Sequence, residues 1–218
     1  FVLVNDPERY GGFEIRNLCC NGEVWAGQDA EVVQQIPDVS ELSLDAFPDE
    51  NTCSCAIRLR YGKFSYFSGA DIPGVVDLDT PAWRDLETLV AQVVGLVDVQ
   101  VLNHHGYRDT QNEFFTRTLS PRVFIHQTWS ADQPGQDVLR RITSRYLYDG
   151  PRDIFATEIL DAAHVVLGEA IDRAYQSTRG HIVVRVDSGG DTFRVITLDD
   201  TEEMPRVKGV FGPYQARG

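Results

Sequence analysis

The chain has 218 residues, with 33 Asp+Glu against 20 Lys+Arg for a net charge of −13, and 42% of it is hydrophobic. That length suits about one domain with a sizeable core, and the acidic balance excludes the broad basic face that neutralises nucleic-acid phosphates. The longest apolar stretch, residues 89–101, is interrupted by Gln92, Asp98 and Gln100, short of the ~20 apolar residues a membrane span requires.

Phe1 opens the chain with neither an initiator Met nor a basic-then-apolar leader, and F-V-L-V follows at once. The expectation is a true start further upstream, so localisation stays unknown. Residues 13–18 read as a strand, Asn21-Gly22 as a hairpin turn and 23–26 as its return. After an acidic loop come strands at 54–61 and 63–67, joined at Tyr61-Gly62-Lys63. From Thr80, an N-cap candidate followed by Pro81, the apolar residues Trp83, Leu86, Leu89, Val90, Val93 and Val94 fall at helical spacing. A buried strand at 99–102, a helix at 112–119, a strand at 122–125 and a helix at 136–148 follow. A further helix covers 160–175. Residues 181–186 and 192–198 form a hairpin across Ser188-Gly189-Gly190, which resembles a phosphate loop in composition but joins two strands. The alternation implies a layered α/β fold. One domain spans residues 1–200, with a surface tail at 201–218.

The cysteines, Cys19-Cys20 and Cys53-x-Cys55, match neither a spaced disulfide framework nor paired zinc knuckles, and read as small buried residues. Nucleophile elbows, P-loops and H-E-x-x-H helices are absent from the sequence. The carboxylate pairs Asp77/Asp79 and Asp199/Asp200 fit turn or cap roles.

Two places gather chemistry. The buried run Val99-Gln100-Val101-Leu102 leads into Asn103-His104-His105-Gly106, which sets two imidazoles at a strand's carboxyl end, where α/β folds collect ligands. The strand ending at Phe67 leads into Ser68-Gly69-Ala70-Asp71, delivering a carboxylate to a loop tip. Asp and His together suit Zn²⁺, Mn²⁺ or Fe. His164 and His181 receive no role.

Asn51-Thr52-Cys53-Ser54, the hairpin around Tyr61-Gly62, Ser68-Gly69-Ala70-Asp71-Ile72 and Val101-Leu102-Asn103-His104-His105-Gly106 occur in an order that resembles the second half of a metallo-β-lactamase-fold hydrolase. The branch most similar holds the hydrolase-like domain of bacterial competence (DNA-uptake) channel proteins and their soluble relatives. The resemblance spans about residues 13–186. It implies an α/β fold of the four-layer αββα sandwich type, of which the chain holds the second half.

It further implies a metal-dependent hydrolase with two zinc ions, Mn or Fe being admissible, whose activated water attacks an ester or phosphodiester. By the same resemblance Asp71 is the metal-bridging carboxylate. His104 and His105 are metal ligands or catalytic contacts to the substrate, and Ser54 is a structural serine at a strand start. The expected partner is a small molecule or phosphate ester, without a groove for long nucleic acid.

Two departures stand against a working site. The family's H-x-H-x-D-H motif is absent, no His precedes His104, and Gln133-Pro134 occupies the place of a late H-P, so that Gln133 takes the position of a ligand. His126, seven residues earlier, is the candidate substitute. These departures imply that the isolated segment is inactive, and they carry the alternative of a metallo-β-lactamase-like binding module that has lost metal ligands.

Overall fold

A computed structural model describes residues 12–77 and 79–218; Phe1–Val4, which opened the sequence reading, lie outside the described residues. The described residues form two sheets and five α-helices. The first half is antiparallel, with β1 (Phe13–Cys20), β2 (Glu23–Trp25), β3 (Val32–Gln34), β4 (Ala56–Tyr61) and β5 (Phe64–Ser68), in which β4 returns to pair with β1. The expected turns are in place: Asn21 and Gly22 carry the positive φ that a tight hairpin demands. β3 falls inside the stretch read as an acidic loop, and it is exposed along its length, which leaves no burial pattern to read.

Beyond β5 the chain alternates helix and parallel strand: α1 (Leu86–Val94), β6 (Val99–Val101), α2 (Glu113–Leu119), β7 (Val123–His126), α3 (Gln136–Thr143), β8 (Asp153–Ala156), α4 (Asp161–Leu167), α5 (Glu169–Ala174) and β9 (Tyr175–Ser177). The sheet order is β3-β2-β1-β4-β5-β6-β7-β8-β9. Each parallel crossover therefore steps the same way across the sheet. Such crossovers are right-handed, and a run of them in one direction puts every helix on the same face.

The register agrees. Phe67, Gln100, Phe124 and Ile154 stand side by side across β5 to β8, and Phe67, Phe124 and Ile154 pack with residues of the helices. Leu86, Val90, Phe115 and Leu119 of α1 and α2 meet Phe67. Val138, Leu139 and Ile142 of α3, with Ala163 and Ile171, meet Phe124 and Ile154.

The opposite face would leave Val99, Val101, Val123, Ile125 and Phe155 in water. A second sheet covers it: β10 (His181–Val186), β11 (Thr192–Leu198) and β12 (Val207–Gln215), antiparallel in that order. Phe193, Val195 and Tyr214 pack onto the valine layer, and Phe193 meets Phe64 edge to face at 5.2 Å between ring centroids. Burying one such aromatic contributes about 2–3 kcal/mol. The layers are thus helices, nine strands and three strands: a mixed α/β sandwich.

Gly190 in the β10–β11 turn lies against the β4–β5 turn, where an added Cβ would come within 1.9 Å of the Tyr61 carbonyl oxygen. The glycine-rich run therefore serves close docking of two turns, as a hairpin turn between strands.

Several boundaries differ from the sequence expectation. Asp85, not Thr80, caps α1, its carboxylate accepting from the Thr88 amide at 3.0 Å; Thr80 closes a turn on Asp77. α3 stops at Thr143, and the expected helix over 160–175 breaks at Gly168, whose φ is +42°. Residues 207–215, expected within a surface tail, form β12, with Tyr214 buried and most of the others exposed. Strict alternation is lost there because Gly209, Gly212 and Pro213 lie within the strand and its register on β11 shifts between Phe193 and Val195 and between Thr197 and Leu198.

The segment that follows β12 is tied down by Asp98, which is fully buried. Its carboxylate accepts from the Ser65 amide at 2.9 Å and the Arg217 amide at 3.0 Å. Removing one partner of such a buried network strands donors away from water. We expect Asp98→Ala to cost about 3 kcal/mol, read as a lower midpoint in urea, and to speed amide exchange at Ser65 and Arg217. An unchanged midpoint would refute this role.

Candidate functional site

The carboxyl ends of β5, β6 and β7 open on one edge of the sheet, and the loops that leave them carry Asp71, His104, His105 and Gln133. The loop after β6 is the centre. His104 and His105 adopt left-handed backbone geometry, with φ/ψ of 44°/44° and 55°/24°, and Gly106 follows at φ 72°. Left-handed geometry at a residue with a Cβ costs on the order of 1–2 kcal/mol. The surroundings hold it by catching four successive carbonyls from different directions. Asn103 O accepts from Thr110 Oγ1 at 3.1 Å, His104 O from the Tyr107 amide at 2.8 Å, His105 O from His126 Nε2 at 2.8 Å, and Gly106 O from the Gly135 amide at 2.9 Å.

Beneath this loop lies Glu87 of α1, a buried carboxylate that the sequence reading did not single out. It accepts from Asn103 Nδ2, the Gln111 amide and the Asn112 amide, each at 2.7 Å. Burial pushes the Glu87 carboxyl up to about 7, against the three donors that pull it down. Gly74 makes room for it: a Cβ there would lie 2.0 Å from Glu87 Oε2. A helix position reads as core or surface in a sequence, and nothing in the spacing of Glu87 distinguishes this third use.

The two histidines have separate partners. A carboxylate only accepts, so His104 donates from Nδ1 to Asp109 Oδ1 at 3.0 Å. Its Nε2 then accepts from Asn51 Nδ2 at 3.1 Å in the neutral ring. Asp109 raises the His104 pKa through that hydrogen bond, which outweighs the opposing effect of burial. His105 donates from Nδ1 to the Gln127 carbonyl at 2.7 Å, leaving Nε2 facing Asp71 Oδ1 at 3.6 Å. The Asp71 amide donates to Ser54 Oγ at 3.3 Å. Trp129, which is 78% exposed, stands beside His105 with ring centroids 6.3 Å apart.

Gln133 and His126 are committed elsewhere. Gln133 is buried, and its carbonyl oxygen, the atom that would ligate a metal, accepts from the amides of Trp129 at 2.6 Å and Ser130 at 2.8 Å. It shapes the loop that displays Trp129. His126 is fully buried, donates from Nε2 to His105 O and accepts at Nδ1 from the Tyr175 hydroxyl at 3.0 Å. Burial lowers its pKa to about 4, so near neutral pH it is an uncharged strut.

The resemblance to metallo-β-lactamases implies two metals, and the donors test that implication. Zinc takes three protein ligands or four, each with a free lone pair. In the arrangement above the His104 Nε2 lone pair accepts from Asn51 and Gln133 Oε1 accepts from two amides, which leaves His105 Nε2 and the Asp71 carboxylate. Among the described residues no group of three or more His, Cys, Asp or Glu could hold a metal ion. The residues present do not fit a two-metal centre. The sequence expectation of Asp71, His104, His105 and Gln133 as a joint ligand set therefore meets a structure that unites Asp71 with His105 and turns Gln133 and His104 to other partners.

Two outcomes follow from the buried groups. Glu87→Ala leaves three donors without an acceptor and should cost about 3 kcal/mol, with faster amide exchange at Gln111 and Asn112; an unshifted urea midpoint would overturn the assignment. For His126 the unfolded ring binds a proton below pH ~6.5 while the folded ring does so only near 4, so its contribution is complete above 6.5 and is lost as pH falls. The span amounts to on the order of 3 kcal/mol. His126→Gln, which keeps a donor and an acceptor, should remove that part of the slope between pH 7 and 4; an identical slope in both proteins would count against it.

No helix among the described residues is long and apolar enough to cross a membrane. The chain matches no protein-family model and no curated protein sequence, so the likeness to metallo-β-lactamases rests on the motifs Asn51–Ser54, Ser68–Ile72 and Val101–Gly106 and their order.

Proposed function

We propose that the chain is a metallo-β-lactamase-like binding module, whose described residues form one helix layer on two packed sheets in place of the expected four αββα layers and hold no catalytic metal. The observation that carries this reading is the state of the donors: both His104 nitrogens and Gln133 Oε1 are already hydrogen-bonded. A metal would have to displace the Asn51 amide from His104 Nε2 before gaining a second imidazole, whereas the Nδ1–Asp109 hydrogen bond is one that a ligating histidine keeps.

The ligand-facing surface is the loop cluster of Asp71, His105 and Trp129. Its chemistry suits a small polar molecule that brings hydrogen-bond donors to Asp71 and His105 Nε2 and a flat face to the exposed indole. A phosphate ester is the poorer match. Asp49, Asp71 and Asp109 all act on His104, and the net charge of −13 repels anions at longer range.

One observation favours a second reading. Asp71 and His105 come from separate loops and meet at 3.6 Å, as two ligands of a larger set would. A metal-dependent hydrolase of the metallo-β-lactamase superfamily then requires its remaining ligands from outside residues 12–77 and 79–218.

Zinc alone separates the two. Protein dialysed against a chelator, offered Zn²⁺ and passed through a desalting column should retain no stoichiometric metal by elemental analysis, and Asp71→Ala should behave identically. Retention of two zinc ions per chain, lost in Asp71→Ala and accompanied by hydrolysis of a phosphodiester such as bis(p-nitrophenyl) phosphate, would establish the hydrolase and sink the binding module.

A further inference from the structure

The four cysteines converge at the end of the β1–β4 pair, and they are not equivalent. The last paired residues of that ladder are Cys19 and Ala56; one step further sets Cys20 opposite Cys55. The two Sγ atoms lie 3.1 Å apart, and both thiols are free. Opposed residues of an antiparallel pair have Cα atoms about 4.5–5.5 Å apart, inside the range of roughly 4.4–6.8 Å that a disulfide accepts. Cys55 is exposed and Cys20 half-buried, so a solution reagent reaches the first sulfur and the second waits beside it. The sequence expectation of four buried cysteines holds only for Cys19.

The other two thiols are set apart. Cys19 packs in the core with Leu18, Val24 and Phe67, and burial pushes its thiol up to about 12, which leaves almost no thiolate near neutral pH. Burial also raises the Cys53 thiol, and the hydrogen bond from Cys55 raises that of Cys20; what distinguishes Cys20 and Cys55 is the 3.1 Å between their sulfurs.

We propose that Cys20 and Cys55 form a reversible thiol–disulfide site that reacts with low-molecular-weight disulfides to close a cross-strand bridge. The Cys55 thiolate attacks one sulfur of the small disulfide, forming a mixed disulfide and releasing one small thiol. The Cys20 thiolate then attacks the Cys55 sulfur, which breaks the mixed disulfide and releases the second small thiol. Two protein thiols are oxidised, the small disulfide is reduced to two thiols, and the two protons pass to the departing thiolates.

The bridge has a structural consequence that does not depend on what the loop cluster binds. The segment from Asn51 to Cys55 carries the side chains that hold His104, through Asn51, and the Asp71 amide, through Ser54. It is attached to the β1–β2 turn by a hydrogen bond from the Asn21 amide to the Cys53 carbonyl at 3.3 Å. A covalent tie from Cys55 to β1 fixes the segment to the sheet.

The test uses the reduced full chain incubated with oxidised glutathione. Intact mass should fall by one pair of hydrogens with no glutathione retained, and peptide mapping should join Cys20 to Cys55. Cys20→Ser should instead accumulate one glutathione on Cys55, and Cys55→Ser should resist oxidation under the same conditions. Amide exchange at 51–55 should slow severalfold in the bridged protein while 161–167 stay unchanged. A stable glutathione adduct on the wild-type chain, a bridge to Cys53, or failure to react would overturn the site, and unaltered exchange at 51–55 would overturn its consequence for the loop.

Discussion

The direction of the crossovers constrains everything else in this molecule. From β5 to β9 the strands are laid down in sheet order, and right-handed connections then leave all helices on one side. A doubly wound sheet reverses direction and covers both faces with helices; this one does not reverse. The valine-rich far face of β6 and β7 must find another partner, and the hairpin β10–β11 with β12 supplies it through Phe193, Val195 and Tyr214. The fold therefore stands on a pairing of two sheets, one drawn from residues 13–177 and the other from 181–215.

The same run of parallel strands sends every loop at its carboxyl end to one edge, which is why residues as distant as Asn51, Asp71, His104 and Trp129 share a surface. Holding that surface in shape requires polar burial. Glu87 gathers three donors below the histidine loop, His126 braces the His105 carbonyl, and Gln133 turns the loop of Trp129. Each buries a polar group, tolerable because the Glu87 carboxylate, both His126 nitrogens and the Gln133 carbonyl oxygen all have partners. Two consecutive left-handed histidines are the visible strain that this framework sustains.

The arrangement also explains why residues of metal-ligand type need not make a metal site. Coordination requires lone pairs that converge on one point. Here the imidazole lone pairs and amide oxygens are spent on second residues: Asn51 caps His104, two backbone amides cap Gln133, and Tyr175 caps His126. What remains open is a carboxylate and one nitrogen beside an exposed indole, a surface suited to recognition.

Much of this was legible in the residues themselves. The hairpin at Asn21-Gly22, the helix centred on Leu86–Val94, the buried strand before His104 and the α/β alternation follow from local propensity and burial period, which are written along the chain. Local patterns also placed Asp71 and the histidine pair at strand ends. Tertiary structure alone decided the rest. β8, β9 and β12 are short or half-exposed and carry little periodic signal, so they exist as strands because a neighbouring edge offers them hydrogen bonds. The uses of Glu87, Asp109 and Gln133, and the meeting of Cys20 with Cys55, depend on which groups face one another across long sequence separations. A sequence records which donors and acceptors a chain owns; only packing determines which of them are already satisfied, and chemistry is left to those that are not.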